Sequence, residues 1–369
     1  MKFMERIKYI AIICSLLFGF TNCQEEKLSP SYLDIDRMDT LLDWSNPIVK
    51  KYYEDYGVAL LTEFDKNLDL CFDFLSQEQG ALISFWKNLD IGKMTRKTEC
   101  DSAITVLDTA VFKYFKDEIE IEEKIYHPKF KEKYFPNKIL ITNKLESAEN
   151  VFGLIMQTVN RPSSTGVGAS YFQSNDNAVV VNLESEMLHT DSEKFDRVTK
   201  SILFCMIAYA FDKYDLYKQV PMAFYEYSKP YYEQQIEDIQ ILQGEEPHSI
   251  SRQEYVERFN MVCTTIAPTK NLNGFLSALT LPSAQEDVKV FIDHLINSET
   301  LEGSRQETTD PYGNTSWYVW KWTPQVTVKM WYIARTLMKL GIDVLAINQD
   351  PVFHDVVNRT QEDIENIQL

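Results

Sequence analysis

Apolar positions along the chain follow two rhythms. Leu41, Leu42, Trp44, Ile48, Val49, Tyr52 and Tyr53 recur at helical spacing and Gly57 closes the run, which predicts a helix over 39–56 and then a strand over 58–64. The segments KILIT (138–142) and NAVVVNL (177–183) are short, rich in β-branched residues and almost wholly apolar, the mark of buried strands. Residues 79–92 and 100–115 carry mixed periodicity read as helical, and the charge run 117–124 reads as a solvated face. A long helix is expected over 195–213. Its centre, SILFCMIAYAF (201–211), is apolar on almost every side and therefore buried.

The second half is helical. Residues 215–232 are aromatic and broken by Pro221 and Pro230; 251–266 read as helix, and Asn273-Gly274 as a turn. Ser283, with Glu286 three residues on, opens a helix over 284–297. Residues 299–322 form a polar, aromatic insertion. A helix over 323–340 stops at Gly341, and a short one follows Pro351. Strands first and helices afterwards argue for an α+β fold.

The chain of 369 residues, 44% of them hydrophobic, is long enough for a sizeable core. Its formal charge of −18 repels nucleic acid and anionic headgroups, so no nucleic-acid partner is expected. The N-terminus changes the picture. Lys2, Arg6 and Lys8 precede a short apolar run over 9–20, and Cys23 follows. This is the layout of a lipoprotein signal peptide, with Cys23 as the lipidated residue and 1–22 removed. Gln24-Glu25-Glu26-Lys27 resembles a surface-export signal. The expected organisation is a lipid-anchored tether over 23–38 and a single domain over 39–369, at the outer membrane and facing either the cell surface or the periplasm. Cys71, Cys100, Cys205 and Cys263 remain in the mature chain without CxxC or metal spacing; a Cys71–Cys100 disulfide is one option in an oxidising compartment.

Local motifs for catalysis are missing. His127, His189, His248, His294 and His354 are scattered, and HExxH and GxSxG are absent. The glycine-bearing loop 163–170 is not a phosphate-binding fingerprint. No metal or other cofactor is expected. Two aromatic clusters stand out: Phe224, Tyr225, Tyr227, Tyr231 and Tyr232, and Trp317, Tyr318, Trp320 and Trp322 beside the turn 310–313. Trp317, Tyr318 and Trp320 are candidate ligand contacts, able to stack on sugars or dock a partner; packing on their own scaffold is the alternative.

The order of segments carries more than any one motif. WSNPIVKKYYEDYGVALL, KILIT, NAVVVNL, KSILFCMIAYAFDKY, NGFLSALTLPSAQEDVKVFIDHLI and KMWYIARTLMKLGIDVLAI follow one another over residues 39–348. Together they resemble the zinc-binding metallopeptidase lipoproteins of Bacteroidota, found beside outer-membrane nutrient-uptake loci. The resemblance implies a zincin-like fold, with a small mixed sheet in the N-terminal half and a helical C-terminal half. In that family the long helix carries HExxH and a later helix an EDFAE-like run. Here the corresponding residues read Cys205-Met206-Ile207-Ala208-Tyr209 and Glu286-Asp287-Val288-Lys289-Val290. The two histidine positions are then Cys205 and Tyr209, the general base Met206 and the third ligand Val290. Every ligand and the base are replaced, and zinc catalysis needs three good ligands, an open position and a base. The expectation is an inactive relative, a lipoprotein that binds a polypeptide, a glycan or an uptake component. The alternatives are an active hydrolase using residues such as His189 or His294 with nearby carboxylates, and a purely structural accessory lipoprotein.

Overall fold

A computed structural model of the chain describes residues 37–70, 89–147, 171–174, 178–184, 193–232, 251–276, 282–298, 305–309, 315–319 and 321–367. The signal peptide, Cys23 and nearly all of the tether, Cys71, the loop 163–170, His189, His248, the turn 310–313 and Trp320 lie outside them. The chain divides into units 1–41 and 42–369. The described part of the first is the short helix Arg37–Leu41. All other described elements belong to the second.

The helical rhythm over 39–56 does not make one helix. Asp43 Oδ1 draws in the Ser45 backbone N–H and hydroxyl (3.2 and 2.6 Å), and Asn46 Oδ1 accepts the N–H groups of Ile48 and Val49 (2.9 and 3.4 Å). The helix α1 therefore starts afresh as Pro47–Tyr56, with Pro47 in the first turn, where its missing N–H costs nothing. Gly57, at φ 70°, ends it as expected. The next strand, β1 (Ala59–Leu61), is shorter than the 58–64 predicted.

Residues 89–91 are not the end of a helix but a strand, β2 (Leu89–Ile91). Gly92 permits this: a Cβ there would lie 2.5 Å from Asn143 Oδ1 and 2.7 Å from Lys144 Cβ. The helical reading of 100–115 holds, as α2 (Lys97–Val106) runs on through a wider turn, Leu107–Val111, and a tighter one, Phe112–Tyr114. The charge run 117–124 is largely exposed but not featureless. It holds the first strand and the turn of the hairpin β3 (Ile119–Ile121) and β4 (Lys124–Tyr126), turned by Glu122 and Glu123 at φ 51° and 61°.

Strands β5 (Lys138–Thr142), β6 (Leu145–Ser147), β7 (Phe172–Ser174) and β8 (Val179–Asn182) complete the N-terminal half. The main sheet has the order β1-β5-β8-β7. β5 is parallel to β1 (Leu60 opposite Ile139) and to β8 (Leu140 opposite Val180), while β7 runs antiparallel to β8. Ile139, Leu140, Ile141 and Val179 to Val181 have no exposed surface, as strands covered on both faces require. β2 and β6 form a separate antiparallel pair.

Helix α3 (Glu193–Tyr214) follows the sheet and packs against the 107–111 turn and β7. Then come α4 (Met222–Glu226), α5 (Arg252–Met261), α6 (Ala267–Leu272) and α7 (Ala284–Asn297). Ser283 and Glu286 close the expected capping box on α7. The insertion holds an antiparallel hairpin, β9 (Arg305–Thr309) and β10 (Thr315–Val319). Helix α8 (Pro324–Lys339) is capped by Thr323 and buried along nearly its whole length. It packs against α4, α6, α7, α9 (Val344–Ile347) and α10 (Pro351–Asn358). The chain is thus a mixed α+β protein, and α8 is the axis of its helical half. No described helix is long and apolar enough to cross a membrane.

Candidate functional site

The long helix α3 and helix α7 lie side by side. Two contacts set their direction. Lys289 Nζ donates to Asp212 at 2.8 Å, and Cys205 lies within electrostatic reach of Asp293. The contacts run in opposite order along the two chains, so the helices are antiparallel. Tyr209 falls between the anchors on α3, and Val290 between them on α7.

The side chains there are core-like. Cys205, Met206 and Tyr209 are 3%, 1% and 8% exposed, and Val290 is half-buried. Burial, helped by the charge of Asp293, pushes the Cys205 thiol well above its ordinary value, so it stays protonated at neutral pH. The Tyr209 hydroxyl accepts a hydrogen bond from Lys213 Nζ at 2.7 Å, and the ammonium also lies 5.2 Å from its ring. A protonated thiol, a phenol facing a cation, a thioether and an isopropyl group make a poor zinc-binding set.

Of the histidines named for a non-standard hydrolase site, His294 sits on α7 next to Asp293. His127 is exposed, with Nδ1 3.8 Å from Glu118. His354 Nε2 lies 3.1 and 2.7 Å from the carbonyls of Leu345 and Asn348. Among the described residues no three His, Cys, Asp or Glu side chains are placed to hold a metal ion. Cys100 and Cys205 are free, buried thiols.

The aromatic clusters divide. Trp317 and Tyr318 are on β10, opposite Glu307 and Gln306; their side chains, like all of Trp320, lie outside the described residues. Trp322 packs on the core formed by Val328, Trp331, Val356 and Ile364. Phe224 is fully buried, Tyr232 half-buried and Tyr231 exposed.

Phe224 and Tyr232 lead to a constellation that sequence reasoning missed. Lys329 of α8 has no exposed surface and makes an ion pair with Asp287 of α7, itself 1% exposed. Lys329 Nζ also donates to Ser228 Oγ at 2.8 Å. Four rings surround the ammonium, with centroids at 4.6 Å (Phe224), 4.9 Å (Phe291), 5.0 Å (Phe275) and 5.8 Å (Tyr232). The Tyr232 hydroxyl donates to Asp287 Oδ2 at 2.7 Å. Gly274, at φ 85°, closes the cage; a Cβ there would meet Lys329 Cδ and Ser228 Oγ at 3.2 Å each.

Electrostatics in the cage are dominated by burial. Desolvation raises Asp287 and lowers Lys329 from their ordinary values, and the attraction between the two opposes both shifts. Lys270, also buried, is lowered to about 8 by desolvation, with Asp287 pulling the other way. One signal in the sequence pointed here. Lys329 interrupts the run VTVKMWYIA, and Val326 and Ile333, which share its side of the helix, are apolar. Because both charged groups are enclosed and mutually satisfied, the cage acts as an internal fastener between α7 and α8.

Comparisons with family models, with curated proteins and with solved structures found no match for the chain.

Proposed function

We propose that this chain is a catalytically inactive, metallopeptidase-like lipoprotein of the outer membrane, zincin-like in fold, that works as a binding or accessory protein in nutrient uptake. The observation that carries the reading is the packing at the α3–α7 contact. Of the four positions that would hold the ligands and base, Cys205, Met206 and Tyr209 are buried on α3 and Val290 is half-buried on α7, and these two helices pack against each other. Two further features support it: the mixed sheet drawn from the N-terminal half, and the long helix that comes after it and pairs with α7.

The chemistry is set by the donor set. Zinc at this place would require ionising a thiol that burial holds protonated and displacing Lys213 from Tyr209, with valine offering no third donor. Met206 cannot take a proton from water. What remains on this reading is a packed core without a metal site, suited to presenting a binding surface.

The test is metal content by mass spectrometry on residues 24–369 after equilibration with zinc and desalting. The proposal expects less than about 0.1 equivalent of zinc and no chelator-sensitive peptide cleavage. About one equivalent would overturn it and make the hydrolase reading the leading one.

A further inference from the structure

A cleft of about 400 Å³ lies between α1, the stretch from Asp108 to Asp117, and Lys131. Tyr52, Phe112 and Phe115 form its aromatic base, each at most 2% exposed. Its charged lining is Lys51, Lys113, Lys116 and Lys131 against Asp108 and Asp117. Four cations and two carboxylates give the lining a charge of +2, or +1 once Asp343, the partner of Lys116, is counted, on a chain of net charge −18. A positive recess on an acidic surface concentrates anions.

The pairing inside the cleft makes it selective. Asp108 Oδ1 accepts the Tyr52 hydroxyl at 2.8 Å. Asp117 Oδ2 accepts both the Tyr56 hydroxyl at 2.8 Å and Lys131 Nζ at 3.0 Å. Lys131 is itself 7% exposed and lies 4.6 Å from the Tyr56 ring, so this corner is held in place. Lys116 reaches Asp343 at 3.5 Å. Lys51 and Lys113 differ: both are exposed, and among the described residues neither has a carboxylate within ion-pair distance. Their contacts are with the rings of Tyr52 and Tyr114, at 5.9 and 4.8 Å.

A ligand must therefore satisfy two demands at once. The two ammonium groups call for an anion. The remaining lone pairs of Asp108 and Asp117, with the Thr109 hydroxyl, call for hydrogen-bond donors. A bare sulfate or phosphate answers the first and is repelled by the carboxylates. A neutral sugar answers the second and leaves the lysines idle. A hydroxylated acid answers both. We propose that this cleft binds an acidic saccharide, its carboxylate at Lys51 and Lys113 and its hydroxyl groups on Asp108, Thr109 and Asp117. The volume is within the range of small-molecule sites. None of the lining residues belongs to α3 or α7, so this proposal and the metal-free reading of the helix pair can fail separately.

The test is calorimetric titration of residues 24–369 with digalacturonate, with its dimethyl ester as the neutral match, and with inorganic sulfate. The variant Lys51→Ala/Lys113→Ala is compared, its fold checked by circular dichroism. Both changes are on exposed side chains that have no ion-pair partner among the described residues. Digalacturonate should bind, weaken as salt rises, and lose at least about tenfold in affinity in the double variant. The ester should bind at least about tenfold more weakly than the acid, and sulfate likewise. Absence of digalacturonate binding, ester or sulfate binding as tight as the acid, or an unchanged double variant would each overturn the proposal.

Discussion

Replacing Lys329 with methionine removes a cation from the centre of the helical half while keeping most of the side-chain volume. Asp287 is then left 1% exposed with the Tyr232 hydroxyl bonded to it and Lys270 nearby, but without its ion-pair partner. Breaking a buried pair in this way costs about 3–5 kcal/mol, far more than the change in apolar burial can offset. Removing both charges behaves differently. Lys329→Met with Asp287→Leu leaves the Tyr232 hydroxyl to find a new partner, while Ser228 keeps its bond to the Asn273 carbonyl (2.9 Å) and no charge is orphaned, and should lie within about 2 kcal/mol of the parent. The single variant should also acquire a pH dependence. Burial raises Asp287, and without Lys329 nothing comparable restrains it. A carboxyl group with a raised folded pKa contributes stability that is present below about 3.9 and is lost as pH rises through the folded pKa. The cost of Lys329→Met should therefore grow from pH 5 to pH 8. Urea unfolding of parent, two single variants and the double variant at both pH values measures this. A cost below about 1 kcal/mol at pH 8, or a double variant as unstable as the sum of the singles, would refute the account of the cage.

Lys270 offers a test with the opposite sign. Its folded pKa is lowered from 10.5 to about 8, so its charged form is penalised below pH 8, and the penalty fades as pH rises from 8 to 10.5. Lys270→Met should stabilise the protein at pH 7 by up to about 3 kcal/mol, a gain that urea unfolding at pH 10.5 should no longer show. Two glycines separate backbone strain from steric collision. Gly57→Ala, at φ 70° with open space around it, should cost about 1 kcal/mol in thermal unfolding. Gly341→Ala, at φ 91° with its Cβ 2.5 Å from Pro128 Cγ and 2.7 Å from the Lys116 carbonyl, should cost at least about twice that; equal costs would show that the neighbouring chain yields freely.

The parts of the fold legible in the chain are those governed by neighbours in sequence. β-branched runs marked β5 and β8, an unbroken apolar stretch marked α3, and Ser283 and Gly341 marked the start of α7 and the end of α8. Each depends on dihedral preferences and hydrogen bonds closed within a few residues. Where a local rule had a local competitor, the reading slipped. Asn46 capped a new helix inside an apparently continuous apolar rhythm, and the backbone packing at Gly92 turned the end of an expected helix into β2.

The candidate sites belong to another scale. The alignment of Cys205, Tyr209 and Val290 came from segment order, while the antiparallel seating of α3 on α7 comes from Asp212–Lys289 and the burial around them. Lys329, Asp287, Tyr232 and Ser228 meet across as many as 101 positions of sequence. The cleft gathers lysines 51, 113, 116 and 131 from three separate stretches. No periodicity records such meetings. A lone lysine reads the same whether water or a carboxylate will face it, and only the packing of distant elements decides which.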